Sequence, residues 1–153
     1  MENQPATQFA LQRIYLKDVS FEAPNSPEVF GVQEQPKVDV KLDTSNRQLA
    51  DNLYEISVKI TAQVTFGEKT AFLAEVEQSG AFLIQGLDDD KLEHALAAFS
   101  PNILFPYARE AIDNLVVKGG FPPLLIAPVN FEAVYLERKQ RQAQQQAAEN
   151  PNA

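Results

Sequence analysis

The sequence contains no cysteine and only one histidine, His94. Without cysteine the chain can form no disulfide, has no thiolate nucleophile and cannot build a zinc–thiolate site. A single imidazole does not supply the ligand sets that transition metals use, so neither a metal nor another cofactor is predicted. His94 lies between Leu92 and Leu96 and is interpreted as a structural group. The Gly-x-Ser-x-Gly pattern of many hydrolases is also absent. An enzyme is therefore disfavoured, because its chemistry would have to come from carboxylates alone.

Long apolar segments are missing as well. No run approaches the roughly eighteen consecutive apolar residues that indicate a membrane-spanning helix. The first eight residues, MENQPATQ, have neither the basic start nor the apolar core of a secretory signal. Together with the lack of cysteine, which fits a reducing compartment, this predicts a cytoplasmic location.

Acidic side chains outnumber basic ones by 21 to 13, which gives the chain a net charge of −8. Such a charge repels nucleic-acid phosphates and anionic membranes, and it favours partners that carry basic segments. A plain contribution to solubility would explain the same charge. The length of 153 residues fits one domain.

The first half of the chain alternates between apolar and polar residues, which is typical of strands with one buried face. Strands are predicted at residues 9–22, 38–43, 54–66 and 70–84, with a polar interruption at 44–52. In the first strand Leu11, Tyr15 and Val19 are predicted to share one face, although Ile14 and Leu16 interrupt the pattern. The segment 23–36 has three prolines and no period, so it is interpreted as a long irregular crossing.

Helical spacing replaces the alternation after Gly86. Residues 88–90 offer acceptors for a helix N-cap, Pro101 and Pro106 are expected to break or kink the helix, and the pair at 119–120 to end it. Asn130 can cap a last helix. Strands followed by helices predict an α+β fold. The predicted organisation is a flexible N-terminus at 1–8, one domain at 9–141 and a disordered Gln-rich tail at 142–153.

Two surfaces are candidates for function. Between residues 72 and 78 the odd positions Leu73, Glu75 and Glu77 point to one face of the strand, opposite Phe72, Ala74 and Val76. Asp18 and Glu22 likewise lie opposite Val19 and Phe21. An acidic sheet surface is therefore predicted, although an ordinary solvated face fits the same pattern.

The second candidate surface is apolar. Phe99, Ile103, Leu104, Phe105 and Tyr107 exceed what one amphipathic helix needs for a small core. They fit an interface between subunits. An apolar groove left open between the crossing and the last helix would instead accept extended polypeptide promiscuously.

Four segments resemble the SecB family of protein-export chaperones: RIYLKDVSFEAPN at 13–25, TAFLAEVEQSG at 70–80, SPNILFPYARE at 100–110 and APVNF at 127–131. They occur in the family's order, and the match covers nearly everything between Phe9 and Leu136. The family's loop tryptophan has no counterpart here, where Glu34 stands near the aligned position and the chain has no tryptophan.

The resemblance implies a homotetramer built as a dimer of dimers, with four-stranded antiparallel sheets outside and helices between them. It implies a holdase that keeps precursor polypeptides unfolded and delivers them to the SecA motor. Because the sequence has no phosphate-binding loop, client binding is predicted to be independent of ATP. The matching positions imply SecA contacts at Asp18, Glu22, Leu73 and Glu75, tetramer contacts at Ala74, Val76 and Gln78, and a client groove with Phe131, Val134 and Tyr135. The alternative is a SecB-like protein dedicated to one partner, such as an antitoxin.

Overall fold

A four-stranded antiparallel sheet with helices on one face forms the protein, as described for residues 6–150 by a computed structural model. The strands are β1 (Gln8–Glu22), β2 (Lys37–Ala50), β3 (Leu53–Phe66) and β4 (Lys69–Gln85). Their order in the sheet is β1-β4-β3-β2, so β3 and β4 are central and β1 and β2 are edges. The predicted α+β fold with an antiparallel sheet is confirmed.

The central strands show the predicted division into two faces. In β3 the side chains of Ile56, Val58, Ile60 and Ala62 are fully buried on the face that carries the helices, which we call the inner face. The intervening residues lie on the opposite, outer face. A tight turn joins β3 to β4, and its Gly67 has φ 58°, a conformation that glycine adopts without strain.

β1 contains two bulges that the sequence pattern did not reveal. Its ladder with β4 skips Gln12 and Lys17, which have no partner in the register. Each extra residue reverses the alternation of faces beyond it. The second bulge brings Asp18 opposite Glu77 on the outer face.

The bulges correct the predicted orientation of Tyr15. Between the two bulges Ile14 and Leu16 pair with inward-facing residues of β4, and Tyr15 points outward. Leu11 and Val19 lie outside this segment and face inward. The prediction that Tyr15 shares their face is therefore wrong, because its pattern ignored the residues that the ladder skips.

β2 corrects a second prediction. The polar segment 44–52 does not interrupt the strand, which pairs with β3 from Lys37 to Ala50. Thr44 lies opposite Val58 and Asn46 opposite Ile56. Polar side chains are tolerated here because β2 is an edge strand, while its backbone hydrogen bonds to β3 hold it in place.

The helices follow β4. They are α1 (Asp89–His94), a π-helical segment (Ala95–Phe99), α2 (Ser100–Lys118) and α3 (Phe131–Glu149); a short 3-10 helix, Glu28–Gly31, lies in the crossing before β2. Asp88 caps α1 by accepting a hydrogen bond of 2.9 Å from the Lys91 amide, as predicted. Of the break or kink expected at the prolines, a break does not occur. Pro101 lies in the first turn of α2, directly after the π-helical segment, and Pro106 lies within the continuous helix.

α2 provides the helical side of the core. Leu104, Ala108, Ile112 and Val116 recur every four residues along one stripe and are fully buried against the sheet. The helix ends at Gly119, as predicted. No helix within residues 6–150 is long and apolar enough to cross a bilayer.

α3 packs on the π-helical segment through its N-terminal half. Asn130 caps it, accepting a 3.0 Å hydrogen bond from the Ala133 amide, as predicted. The helix continues through residues 142–149, where disorder was expected, because Gln, Ala and Glu are good helix formers. Of the predicted flexible N-terminus, Gln8 already belongs to β1. Residues 1–5 and 151–153 lie outside the described residues.

Candidate functional site

Four carboxylates and one leucine lie together at one end of the outer face. We call Asp18, Glu22, Leu73, Glu75 and Glu77 the acidic patch. Glu22 pairs with Leu73 across the β1–β4 ladder, and Asp18 pairs with Glu77. The sheet therefore brings together all four residues assigned to SecA contact by the resemblance, and Glu77 joins them.

A single lysine lies among these carboxylates. Lys59 on β3 forms an ion pair of 3.1 Å with Glu75, whose other oxygen accepts a 3.3 Å hydrogen bond from Thr61. The hydrogen bond to Glu75, and the further charges of Glu77 and Asp18, raise the pKa of Lys59. Among the ion pairs of residues 6–150, the patch takes part through Glu75 alone, so Asp18 and Glu22 on β1 and Glu77 on β4 keep a net negative charge there. Lys59 could not be identified from the sequence, because its pairing with Glu75 depends on the β3–β4 register.

Beside the acidic patch, Glu55 of β3 is buried beneath three donors. Its carboxylate accepts hydrogen bonds from Tyr15 at 2.5 Å, Lys17 at 2.7 Å and Arg47 at 2.9 Å. Burial alone would raise the pKa of Glu55, but these three bonds outweigh it and lower the pKa to about 2. Burial and the bond to Glu55 raise the pKa of Tyr15 to about 12.

Small residues on β4 make this arrangement possible. Tyr15 pairs with Ser79 in the ladder, and Ala81 separates Arg13 of β1 from Glu55 of β3. The Tyr15 side chain can therefore extend across β4 and reach Glu55 on β3. Ser79 itself is fully buried and shares a 2.7 Å hydroxyl–hydroxyl hydrogen bond with Ser57. The cluster joins β1, β2 and β3 on the outer face.

An apolar groove follows the inner face of the other sheet edge, beside β2. Its larger cavity, about 270 Å³, lies between β2 and the segment that follows α2, and its walls include Val38, Phe66, Phe72, Phe121 and Leu124. A smaller cavity of about 110 Å³ lies farther along β2, beside α3. Its walls combine apolar side chains with polar ones: Leu42, Val129, Phe131, Val134 and Tyr135 with Asp43, Thr44 and Arg138. Val38 and Val40 of β2 remain 52% and 37% exposed along this groove.

The three residues predicted for the groove differ in their environment. Phe131 and Tyr135 line the smaller cavity but are only 4% and 8% exposed, whereas Val134 is 45% exposed. Phe131 packs on Phe105, with ring centroids 5.9 Å apart, so it anchors α3 to the core. The wider part of the groove was missed by sequence reasoning, since residues 121–124 show no period that would place them.

His94 also helps to hold α3 against the preceding helices. Its ring packs edge-on against Tyr135, and its Nε2 contacts the carboxylate of Glu132. This agrees with the structural interpretation of the single histidine. Among the residues that the structure describes, no group of three or more metal-ligating side chains could hold a metal ion.

The positions predicted for tetramer contact lie inside the single chain. Ala74 and Val76 are fully buried and Gln78 is 5% exposed, all on the inner face of β4. Gln78 donates a 2.9 Å hydrogen bond to the Tyr15 carbonyl. These side chains present almost no surface to a partner, so any influence on assembly would pass through the packing of β1 and α2.

Exposed apolar residues form a third surface nearby. Leu16 and Val19 on the inner side of β1 are 51% and 42% exposed. Phe99 and Tyr107 on the adjoining helical face are 49% and 48% exposed, while Leu104 and Phe105 of the same apolar cluster are buried. The apolar surplus seen in the sequence is thus divided between the core and the surface.

Comparison with known proteins gives a consistent result. Residues 2–142 match the family described as Preprotein translocase subunit SecB. The Protein-export protein SecB of Chromohalobacter salexigens is 58% identical over 149 residues, covering 96% of this chain and 90% of that protein. The proteins of the same name from Pseudomonas savastanoi and Marinobacter nauticus are 53% and 52% identical, covering 98% and 97% of this chain and 90% and 92% of theirs.

A solved structure shares the fold. It is a SecB-like chaperone of Mycobacterium tuberculosis, in complex with a peptide from an antitoxin. The TM-score is 0.65 at 16% sequence identity, covering 79% of this chain and 90% of that one.

Proposed function

Since the chain belongs to the SecB family of protein-export chaperones, we propose that it holds precursor polypeptides unfolded in the cytoplasm and delivers them to the SecA motor. The three relatives reported above, at 52–58% identity, carry the name Protein-export protein SecB, which favours export over a role dedicated to a single antitoxin partner. The protein acts by binding and not as an enzyme.

The main support for this proposal is that Phe72 and Leu73, neighbours in β4, point to opposite faces of the sheet. Phe72 lines the larger cavity of the apolar groove, and its neighbour Leu73 lies in the acidic patch on the other side of the sheet. Successive side chains of β4 therefore serve opposite surfaces. A client in the groove and a motor on the patch can be bound together without competing for space.

The groove suits extended, apolar clients. The walls of its larger cavity are aliphatic and aromatic, so they bind side chains by burial and read little of their identity. Binding of this kind needs no nucleotide. Val134 is the exposed member on α3, while Phe131 and Tyr135 hold that helix in place.

The acidic patch suits the motor. Asp18, Glu22 and Glu75 would meet basic groups on SecA, with Leu73 contributing apolar contact in their midst. Single exposed ion pairs are weak, so several must act together. Attraction of this type is also screened by salt.

The exposed apolar residues Leu16, Val19, Phe99 and Tyr107 suit contact with further copies of the chain. We take the assembly to be a homotetramer, a dimer of dimers. Ala74, Val76 and Gln78 would affect it indirectly, by setting how β1 and α2 present these residues.

The proposal is tested with three assays on the full chain. Aggregation of a chemically denatured model protein should be suppressed without ATP, and SecA should bind the chaperone in a salt-dependent manner. A requirement for ATP would contradict the holdase role. Pulldown from cytosol should recover many unrelated unfolded chains; one stoichiometric partner would instead support a dedicated antitoxin-type role.

A further inference from the structure

Phe21 is the inward-facing ring at the end of β1, next to Glu22 of the acidic patch. Glu22 is the last residue of β1 and pairs with Leu73, while Phe21 pairs with Ala74. Successive side chains of a strand point to opposite faces, so an inward Phe21 entails an outward Glu22. The placement of this ring therefore fixes the direction in which the neighbouring carboxylate points.

The Phe21 ring is held from two sides. On one side it stacks on the ring of Phe72, with centroids 5.8 Å apart and an interplanar angle of 25°. On the other side it fills the space beside Gly119, at the end of α2. A Cβ atom on Gly119 would lie 2.3 Å from Cζ of Phe21, closer than two non-bonded carbon atoms can approach. Because Gly119 has no side chain, the end of α2 leaves room for the Phe21 ring.

The end of β1 has little other anchorage on this face. β1 is an edge strand that pairs only with β4 in the sheet of the described residues. Leu16 and Val19, which also face inward, are 51% and 42% exposed, whereas Phe21 packs against the core. Segments with few buried side chains open at low cost in free energy. Beyond the backbone ladder to β4, Phe21 is therefore the inward-facing β1 side chain that packs this strand end, with Asp18 and Glu22, against the core.

We infer that Phe21, clamped between Phe72 and Gly119, is a positioning residue for the acidic patch: it touches no partner itself and orients Glu22 and Asp18 toward one. The inference rests on the proposed docking of SecA at this patch.

The variant Phe21→Leu tests it, because it keeps an apolar side chain and removes the ring. Affinity for purified SecA should fall by about three- to tenfold, the loss expected for two displaced exposed carboxylates. Tetramer mass and suppression of model-protein aggregation should stay unchanged. Phe9→Leu is the matched control, since Phe9 is a ring at the other end of β1 that contacts Phe82 and Phe99. It should leave SecA affinity unaltered.

A double-mutant cycle separates positioning from general loss of stability. Glu22→Gln should weaken SecA binding in the unsubstituted protein and in Phe9→Leu, but should add little to Phe21→Leu, because Glu22 is already misplaced there. Additive losses would overturn the inference. Gly119→Ala displaces the ring from the helix side and should reproduce the selective loss; it keeps the test available if Phe21→Leu does not fold.

The outcomes distinguish this inference from the proposed function. Unaltered SecA affinity in either folded variant would overturn the role of Phe21 and leave the docking surface in place. If the unsubstituted protein failed to bind SecA at all, the proposed docking itself would be wrong.

Discussion

Tyr15 on β1 donates a hydrogen bond to Glu55 on β3, passing over the intervening strand β4. Arg47 reaches the same carboxylate from β2. A single buried carboxylate thereby connects the two edge strands through the centre of the sheet.

The Glu55 cluster should make stability depend on acid pH. The folded-state pKa of about 2 lies below the ordinary value of 4.5, so the ionised form stabilises the fold above about pH 4.5 and this contribution is lost as the pH falls toward 2. A shift of this size corresponds to about 3 kcal/mol. Urea unfolding at fixed protein concentration should show Glu55→Gln less stable at pH 7 and the difference shrinking below pH 4. Glu68→Gln, at the exposed β3–β4 turn, is the control; an unchanged difference at low pH would contradict the prediction.

The carboxylates on β1 should contribute more to SecA binding than Glu75. Glu75 is already paired with Lys59, whereas Asp18 and Glu22 extend from the edge strand into solvent. Asp18→Asn with Glu22→Gln should weaken binding by about three- to tenfold at low salt, and the loss should diminish above about 0.15 M salt, where the Debye length is about 8 Å. Glu75→Gln alone should have a smaller effect.

Asp39→Asn with Asp43→Asn removes the same charge from β2 and serves as the control in titration calorimetry. Equal losses from both double variants would show that total charge matters and the acidic patch does not.

Leu124 should contribute to client binding and Leu125 should not. Leu124 lines the larger cavity, while its neighbour Leu125 is 76% exposed and lies outside it. Leu124→Ser should weaken binding of an unfolded model protein by roughly fivefold, as expected for about 1 kcal/mol of lost apolar burial. Leu125→Ser is a matched change one residue away. Equal client affinities for the two variants, measured by fluorescence anisotropy, would show that the client site lies elsewhere.

Assembly should respond differently to buried and exposed substitutions. Tyr107→Asp places a charge on the exposed apolar face and should lower the mass seen by light scattering while circular dichroism stays native. Val76→Asp buries a charge inside the chain and should unfold it instead. Leu136→Asp, at an equally exposed position on α3, is the control. A tetramer mass for Tyr107→Asp would show that the interface lies on another surface.

The central strands could be predicted from sequence because burial on one face imposes a strict alternation. Phe72, Ala74 and Val76 follow it without interruption, and their burial confirms the prediction. Tyr15 could not be placed this way. Its orientation depends on which residues of β1 the β4 ladder skips, and that is a property of the pair of strands.

The candidate groove was less predictable, for a different reason. Helical spacing places Phe131 and Tyr135 on one apolar face of α3, but spacing alone does not tell whether that face meets the core or a ligand. Both side chains turn out to be almost fully buried. Phe121 and Leu124 come from an irregular segment, so only tertiary packing brings them to the groove.

The length of α3 has a mechanical consequence. Its deepest anchors, Phe131 and Tyr135, lie in the first two turns, and residues 140–149 are exposed on all sides. At 1.5 Å per residue, the rod from Tyr135 to Glu149 is about 21 Å long, so a tilt of about 10° at its base moves the tip by about 4 Å. Val134 and Arg138, which line the groove, lie close to Tyr135, the point about which the helix would tilt. A force applied at the C-terminal end of α3 therefore reaches the groove residues as a smaller displacement and a larger force.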